Sequence, residues 1–108
     1  MKRIHVALAV SNLDDAIADT RRRLGVQPCV VVPGTYALFR TASANLSLTE
    51  NAKQAGQLRH LGIEDPEAPA FTAEPGPDGL VWERFTAEQQ ADEINTHWPE
   101  ANYTPEEF

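Results

Sequence analysis

Residues 4–25 read IHVALAVSNLDDAIADTRRRLG, and the change of period inside this stretch decides the fold. Ile4, Val6, Leu8 and Val10 alternate with His5, Ala7 and Ala9, the period-two pattern of a strand. One face carries large apolar groups; the other carries small groups beside a histidine. Helix signals follow at once. Ser11 stands as N-cap, Asp14 and Asp15 fill the first turn, Leu13, Ile17 and Leu24 recur at helical spacing, and Gly25 supplies the stop. The chain opens β-α.

Working outward, PCVVV (28–32), TYALFRT (35–41) after the Pro33-Gly34 turn, and NLSLTE (45–50) read as strands separated by polar or Gly/Pro punctuation. The first half is therefore β-α-β-β-β. A second apolar run, LRHLGIE (58–64), follows the loop NAKQAGQ, and the Pro-rich stretch 65–79 leads into LVWERF (80–85). TAEQQADEINTHW (86–98) predicts a helix capped by Thr86, with Gln89 completing a capping box and Pro99 beyond its end. The remaining PEANYTPEEF reads as an acidic, loosely held tail.

Size and charge narrow the function. A chain of 108 residues makes one domain with a single core. Its formal charge of −7 and pI near 4.8 argue against nucleic acid as a partner. Arg21, Arg22 and Arg23 sit where a helix ends and favour its dipole, which makes them a solvated face. No window approaches a membrane span, and the N-terminus has no cleavable signal form, so the expectation is a cytoplasmic protein without a membrane partner. Cys29 is the only cysteine, which excludes an internal disulfide and a thiolate cluster.

The strand pattern then gathers chemistry. His60 in LRHLGIE repeats the setting of His5: the next position on its own face is small, Gly62 in place of Ala7, and the reverse face is bulky. In LVWERF, Val81, Glu83 and Phe85 share one face, which puts a carboxylate in mid-strand. Taken singly, a strand histidine is more often a hydrogen-bonded core or surface residue, and Glu83 beside Arg84 reads as exposed. Taken together, two imidazoles and a carboxylate are the ligand set of a divalent metal with open coordination positions.

The segments KRIHVALAVSNLDDAIADTRRRLGVQP (2–28), ANLSLTE through LRHLGIE (44–64) and PDGLVWERF (77–85) resemble the vicinal oxygen chelate superfamily of glyoxalases, bleomycin-resistance proteins and extradiol dioxygenases. Within it they are most similar to the branch of cadmium-induced proteins and organoarsenical carbon–arsenic lyases. The resemblance implies an α+β fold of paired β-α-β-β-β modules forming a mixed, cup-shaped sheet. It implies a single domain over 1–86, with a first module at 1–50 and a second at 58–86, followed by a C-terminal helix and acidic tail at 87–108. It implies His5, His60 and Glu83 as ligands of a divalent metal, Fe(II) first, with Ni(II), Mn(II) or Zn(II) as alternatives. Glyoxalases add a carboxylate from the end of the first module; here that strand offers Asn45, Ser47 and Thr49, and Glu50 lies at its edge on the leucine face, so three ligands are expected.

The second module departs from the family. From His5 to Ser47 is 42 positions, but from His60 to Glu83 only 23, enough for a strand, a short hairpin partner such as AFTAE (70–74) and a closing strand, with no packed helix. The module is truncated by its helix. The paired cysteines with which arsenical lyases hold substrate belong to the absent segment, and Cys29 stands alone, which argues against arsenical cleavage. The face left bare calls for a cover, from the tail helix or from a second chain, and a homodimer is expected.

The expected function is a metal-binding, glyoxalase- or dioxygenase-like protein in which the ion, as Lewis acid, takes two vicinal oxygens of a small molecule. The alternatives are a non-catalytic, resistance-type module that binds a small molecule or metal ion, and a dimeric interaction domain in which the three side chains merely hydrogen-bond one another. Tyr36, Arg40 and Glu64 are pocket candidates by face position, with core or solvent as the plainer reading of each. His97 and Trp98 read as a dipole partner at the helix end and an indole packed on the sheet.

Overall fold

The alternation at residues 3–10 becomes a central strand. In the computed structural model, which describes residues 1–106, β1 (Arg3–Val10) is followed by α1 (Leu13–Leu24), β2 (Val30–Val32), β3 (Tyr36–Arg40) and β4 (Ala44–Glu50). β5 (Leu58–Glu64), β6 (Thr72–Pro75), β7 (Val81–Phe85) and α2 (Ala87–His97) complete the order, with short 3-10 turns at Ala52–Gln54 and Pro99–Ala101. The strands form one open, mixed sheet in the order β2-β3-β4-β1-β5-β7-β6. This is an α+β fold, and among the described residues no helix is long and apolar enough to cross a membrane.

The sheet repeats itself about its middle pair. β1 and β5 are antiparallel, with His5 opposite Gly62 and Ala7 opposite His60. β1 then pairs β4 in parallel, as β5 pairs β7. β3 and β6 flank these antiparallel. The second half therefore lacks counterparts of both α1 and β2, leaving the strand, hairpin partner and closing strand that the spacing from His60 to Glu83 has room for.

Local signals explain the helices. α1 is capped by Asn12, whose Oδ1 accepts the Asp15 N–H at 3.0 Å, one residue later than the expected Ser11. Both residue types cap well, and it is Asn12 that holds the extended cap conformation. Gly25 closes the helix with φ 72°, a left-handed position that glycine takes without strain. α2 carries the full capping box: Gln89 N donates to Thr86 Oγ1 and Thr86 N donates to Gln89 Oε1.

The helices cover opposite faces of the same half-sheet. α1 sets Leu13 and Ile17 against Phe39 and Leu48 on the face bearing the large groups. α2 lies across the other face, the one that carries His5, and packs Ala91 and Ile94 on Val30, Val32, Tyr36 and Leu38. The tail is held rather than loose up to residue 106. Tyr103 is buried in this cluster, Asn95 Nδ2 donates to its carbonyl and Asn95 Oδ1 accepts its N–H, and Arg40 Nη1 donates to the Glu106 carbonyl. An aromatic ring that reaches a hydrophobic core outweighs the acidic composition around it. The tail helix therefore roofs the first half of the cup. On the reverse face, Leu8 and Val10 of β1 pack against the α1 cluster, while Ile4, Leu58 and Trp82 are exposed.

Candidate metal centre

Three strands bring three donors to one point. β1 supplies His5, β5 supplies His60 and β7 supplies Glu83, and their ligand atoms lie within 4.8 Å of one another. His60 Nε2 stands 2.9 Å from Glu83 Oε1 and 3.1 Å from His5 Nε2, and His5 Nε2 stands 3.6 Å from Glu83 Oε1. Ligands held about 2.1 Å from one ion, at the angles of a tetrahedron or octahedron, are separated by about 3.0 to 3.4 Å. The donor set and its spacing fit a divalent cation.

The pseudo-symmetry explains the number of donors. The position on β4 that corresponds to Glu83 on β7 is Ser47, opposite Ala7 as Glu83 is opposite Gly62. A buried hydroxyl thus occupies the place where a second carboxylate would make a fourth ligand. Gly62 makes room for the first ligand: a Cβ there would meet the Glu83 carbonyl oxygen at 2.8 Å and His5 Cδ2 at 3.0 Å. The His5 ring rests over a residue that has no side chain, with its edge against Phe85 behind it.

Behind His5 lies a polar chain that fixes which nitrogen faces the site. Glu64 accepts from Arg40 Nε at 2.9 Å, Arg40 Nη2 at 3.0 Å, Arg3 Nη1 and Asn45 Nδ2 at 2.9 Å. Burial, the largest influence, would raise the Glu64 pKa, but the hydrogen bonds from Arg40 and Asn45 together outweigh it and hold the carboxyl below its ordinary range. An ionised carboxylate only accepts, so the Asn45 amide must turn Nδ2 toward Glu64 and Oδ1 toward His5. That oxygen accepts from His5 Nδ1 at 2.8 Å and from Gln90 Nε2 at 3.1 Å. The imidazole proton is therefore on Nδ1, and Nε2 presents its lone pair to the donor cluster. Burial also holds the His5 pKa below 6.5, against the raising effect of the Asn45 bond, so the ring is neutral and able to ligate at pH 7.

In front of the donors opens a cavity of about 290 Å³. Tyr36, stacked on Trp98 with ring centroids 4.8 Å apart, forms one wall, and Phe71 and Ile94 add apolar surface. Burial pushes the Tyr36 phenol well above its ordinary pKa, so it serves as a hydrogen-bond donor and not as a base. His97, whose Nδ1 lies 3.0 Å from the Glu93 carbonyl at the helix end, also faces this space. Of the pocket candidates, Tyr36 lines the cavity, whereas Arg40 and Glu64 stand behind Asn45 in the buried ion pair.

Two contributors escaped the sequence. Asn45 shares the expected face, but its role depends on a cross-strand partner at His5 and a third strand at Glu64. Arg59 reads by alternation as a reverse-face residue. A β-bulge breaks that alternation: Ala7 faces His60 and Leu8 faces Leu58, which leaves Arg59 unpaired and turns its side chain into the cup. No glycine or asparagine marks the bulge.

No family model matches the chain. It is similar to the cadmium-induced protein CadI of Mycobacterium tuberculosis and of Mycobacterium bovis, 39% identical over 66 residues in each case. The match covers 59% of this chain and 43% of those proteins, so the chain spans less than half the length of the curated relatives it matches.

Proposed function

We propose that the chain is a divalent-metal-binding domain of glyoxalase or dioxygenase type, with His5, His60 and Glu83 holding the ion and the cavity beside it receiving a small molecule. The observation that carries this reading is the convergence of three donor atoms within 4.8 Å, with His5 held in the ligating tautomer. The ion would supply a Lewis acid with open positions toward the cavity. The chain's own residues orient what enters: Asn45 holds the first imidazole, Tyr36 offers a phenolic O–H, and Trp98, Phe71 and Ile94 exclude water on the apolar side.

A second reading is sequestration of the metal itself. The relatives' name, cadmium-induced protein, favours it. We also propose a second copy as partner, covering the bare apolar face around Ile4 and Trp82.

The test is the metal content of untagged protein purified anaerobically, compared with the His60→Ala/Glu83→Ala double variant. About one equivalent in the parent and almost none in the variant supports the site. A parent that arrives metal-free and cannot be loaded with Fe(II), Ni(II), Mn(II) or Zn(II) overturns it. Cd(II) that displaces each of these ions, with no small chelator able to join it, selects sequestration.

A further inference from the structure

We infer that the cup receives a small carboxylic acid whose other end carries two adjacent oxygens for the metal, and that Arg59 is the residue that recognises the carboxylate. The inference rests on the metal reading above and adds the class of ligand.

The bulge on β5 is the first ground. It places a permanently charged guanidinium in the cavity next to His60, where strict alternation would have sent it to the opposite face of the sheet. Bulges at sites of this kind serve to re-aim a side chain. The second ground is the way Arg59 is held. Its Nη1 donates to Thr49 Oγ1 at 3.1 Å, a neutral partner that fixes the side chain across β1 without neutralising it. Among the described residues no carboxylate lies within ion-pair distance of it, although Glu93 and Glu83 also line the cavity. Glu93 is instead 3.7 Å from His97 Nδ1.

Position sets the size of the ligand. Thr49 pairs with Ala9, four positions along β1 from His5 and two from the Ala7–His60 pair. At strand spacing this places the guanidinium about 7 to 13 Å from the donor atoms. A cavity of about 290 Å³ suits one small molecule spanning that distance. A planar guanidinium with free N–H groups matches a carboxylate in a bidentate geometry. The acidic surroundings, Glu93 and a net charge of −7, favour an anion of charge one over a phosphate of charge two.

Hydroxamates test this directly, because they offer two adjacent oxygens to an ion. Zn(II)-loaded parent and Arg59→Ala are titrated calorimetrically with suberic acid monohydroxamate and with octanohydroxamate, which has the same chain without the carboxylate. The parent should bind the carboxylate compound about tenfold or more tighter, as charged hydrogen bonds require. In Arg59→Ala that preference should vanish, with octanohydroxamate affinity and zinc content unchanged, and in Arg59→Lys part of it should return. Equal binding of the two compounds by the parent, or a preference that survives in Arg59→Ala, overturns the inference and leaves the metal reading standing. A parent that takes up no zinc overturns both.

Discussion

His5 Nδ1 donates to Asn45 Oδ1 at 2.8 Å, with the Asn45 backbone carbonyl a second acceptor at 3.2 Å, and this pairing decides which nitrogen of the imidazole is available for chemistry. Asn45 can play this part because its Nδ2 is already committed to Glu64 Oε1 at 2.9 Å and Gln90 Oε1 at 2.7 Å. A buried ion pair thus orders a neutral amide, and the amide orders a histidine.

Replacing Asn45 by Ala should loosen the ring, which would keep only the 3.2 Å contact with the residue-45 backbone carbonyl. Outer-shell partners of ligating histidines typically contribute about 10- to 100-fold in metal affinity, and a loss of that size is expected in a chelator competition with Zn(II). Nitrogen chemical shifts of His5 in the metal-free variant should show mixed tautomers, against Nδ1–H alone in the parent.

Gly62→Ala should damage the same site from the other side. Its new Cβ would meet the Glu83 backbone oxygen at 2.8 Å, and a backbone atom cannot step aside as a flexible side chain can. Separation of β5 from β7 would carry His60 away from Glu83. We expect a stability loss of about 1 to 3 kcal/mol by denaturant titration and a larger proportional loss of metal affinity.

Acid should destabilise the metal-free protein in two separate windows. Folded His5 has a pKa lowered below 6.5, so the unfolded chain binds the proton first, and stability falls as pH drops from about 6.5 through the folded value. Glu64 is also depressed; its stabilisation is present above the unfolded carboxyl pKa and is lost as pH falls through the folded one. Melting temperatures between pH 8 and 3 should decline in both windows. Glu64→Gln should shrink the lower window, to which the depressed Asp65 also contributes.

Charge placed on the bare face should report its partner. Trp82 and Ile4 are 37% and 44% exposed on strands whose other side faces the cup. Trp82→Glu should convert a dimer to a monomer in sedimentation experiments without loss of metal. A parent that already sediments as a monomer at micromolar concentration would rule out the second copy.

The framework was legible because strand alternation and helix spacing are local. His5, His60 and Glu83 share a face by parity alone, and the Thr86–Gln89 capping box is written in adjacent residues. Parity also explains the failures. Parity alone does not find Arg59, because the register change at Ala7 and Leu8 is set by the partner strand and leaves no mark in residues 58–60. Asn45 and Gln90 lie 45 positions apart, and their amides meet only after α2 folds over the cup. Tyr103 lies within a stretch whose acidic composition reads as a loose tail, and only the groove beside Tyr36 and Leu38 gives it a place.

The most direct measurement is the affinity and stoichiometry of Zn(II), read by competition with a chromophoric chelator in the parent and in His60→Ala. One equivalent bound by the parent, with affinity reduced about 100-fold or more on loss of one imidazole, is the expected result. Equal affinity in the two proteins, or no zinc bound by either, would contradict the assignment of His5, His60 and Glu83 as a metal centre.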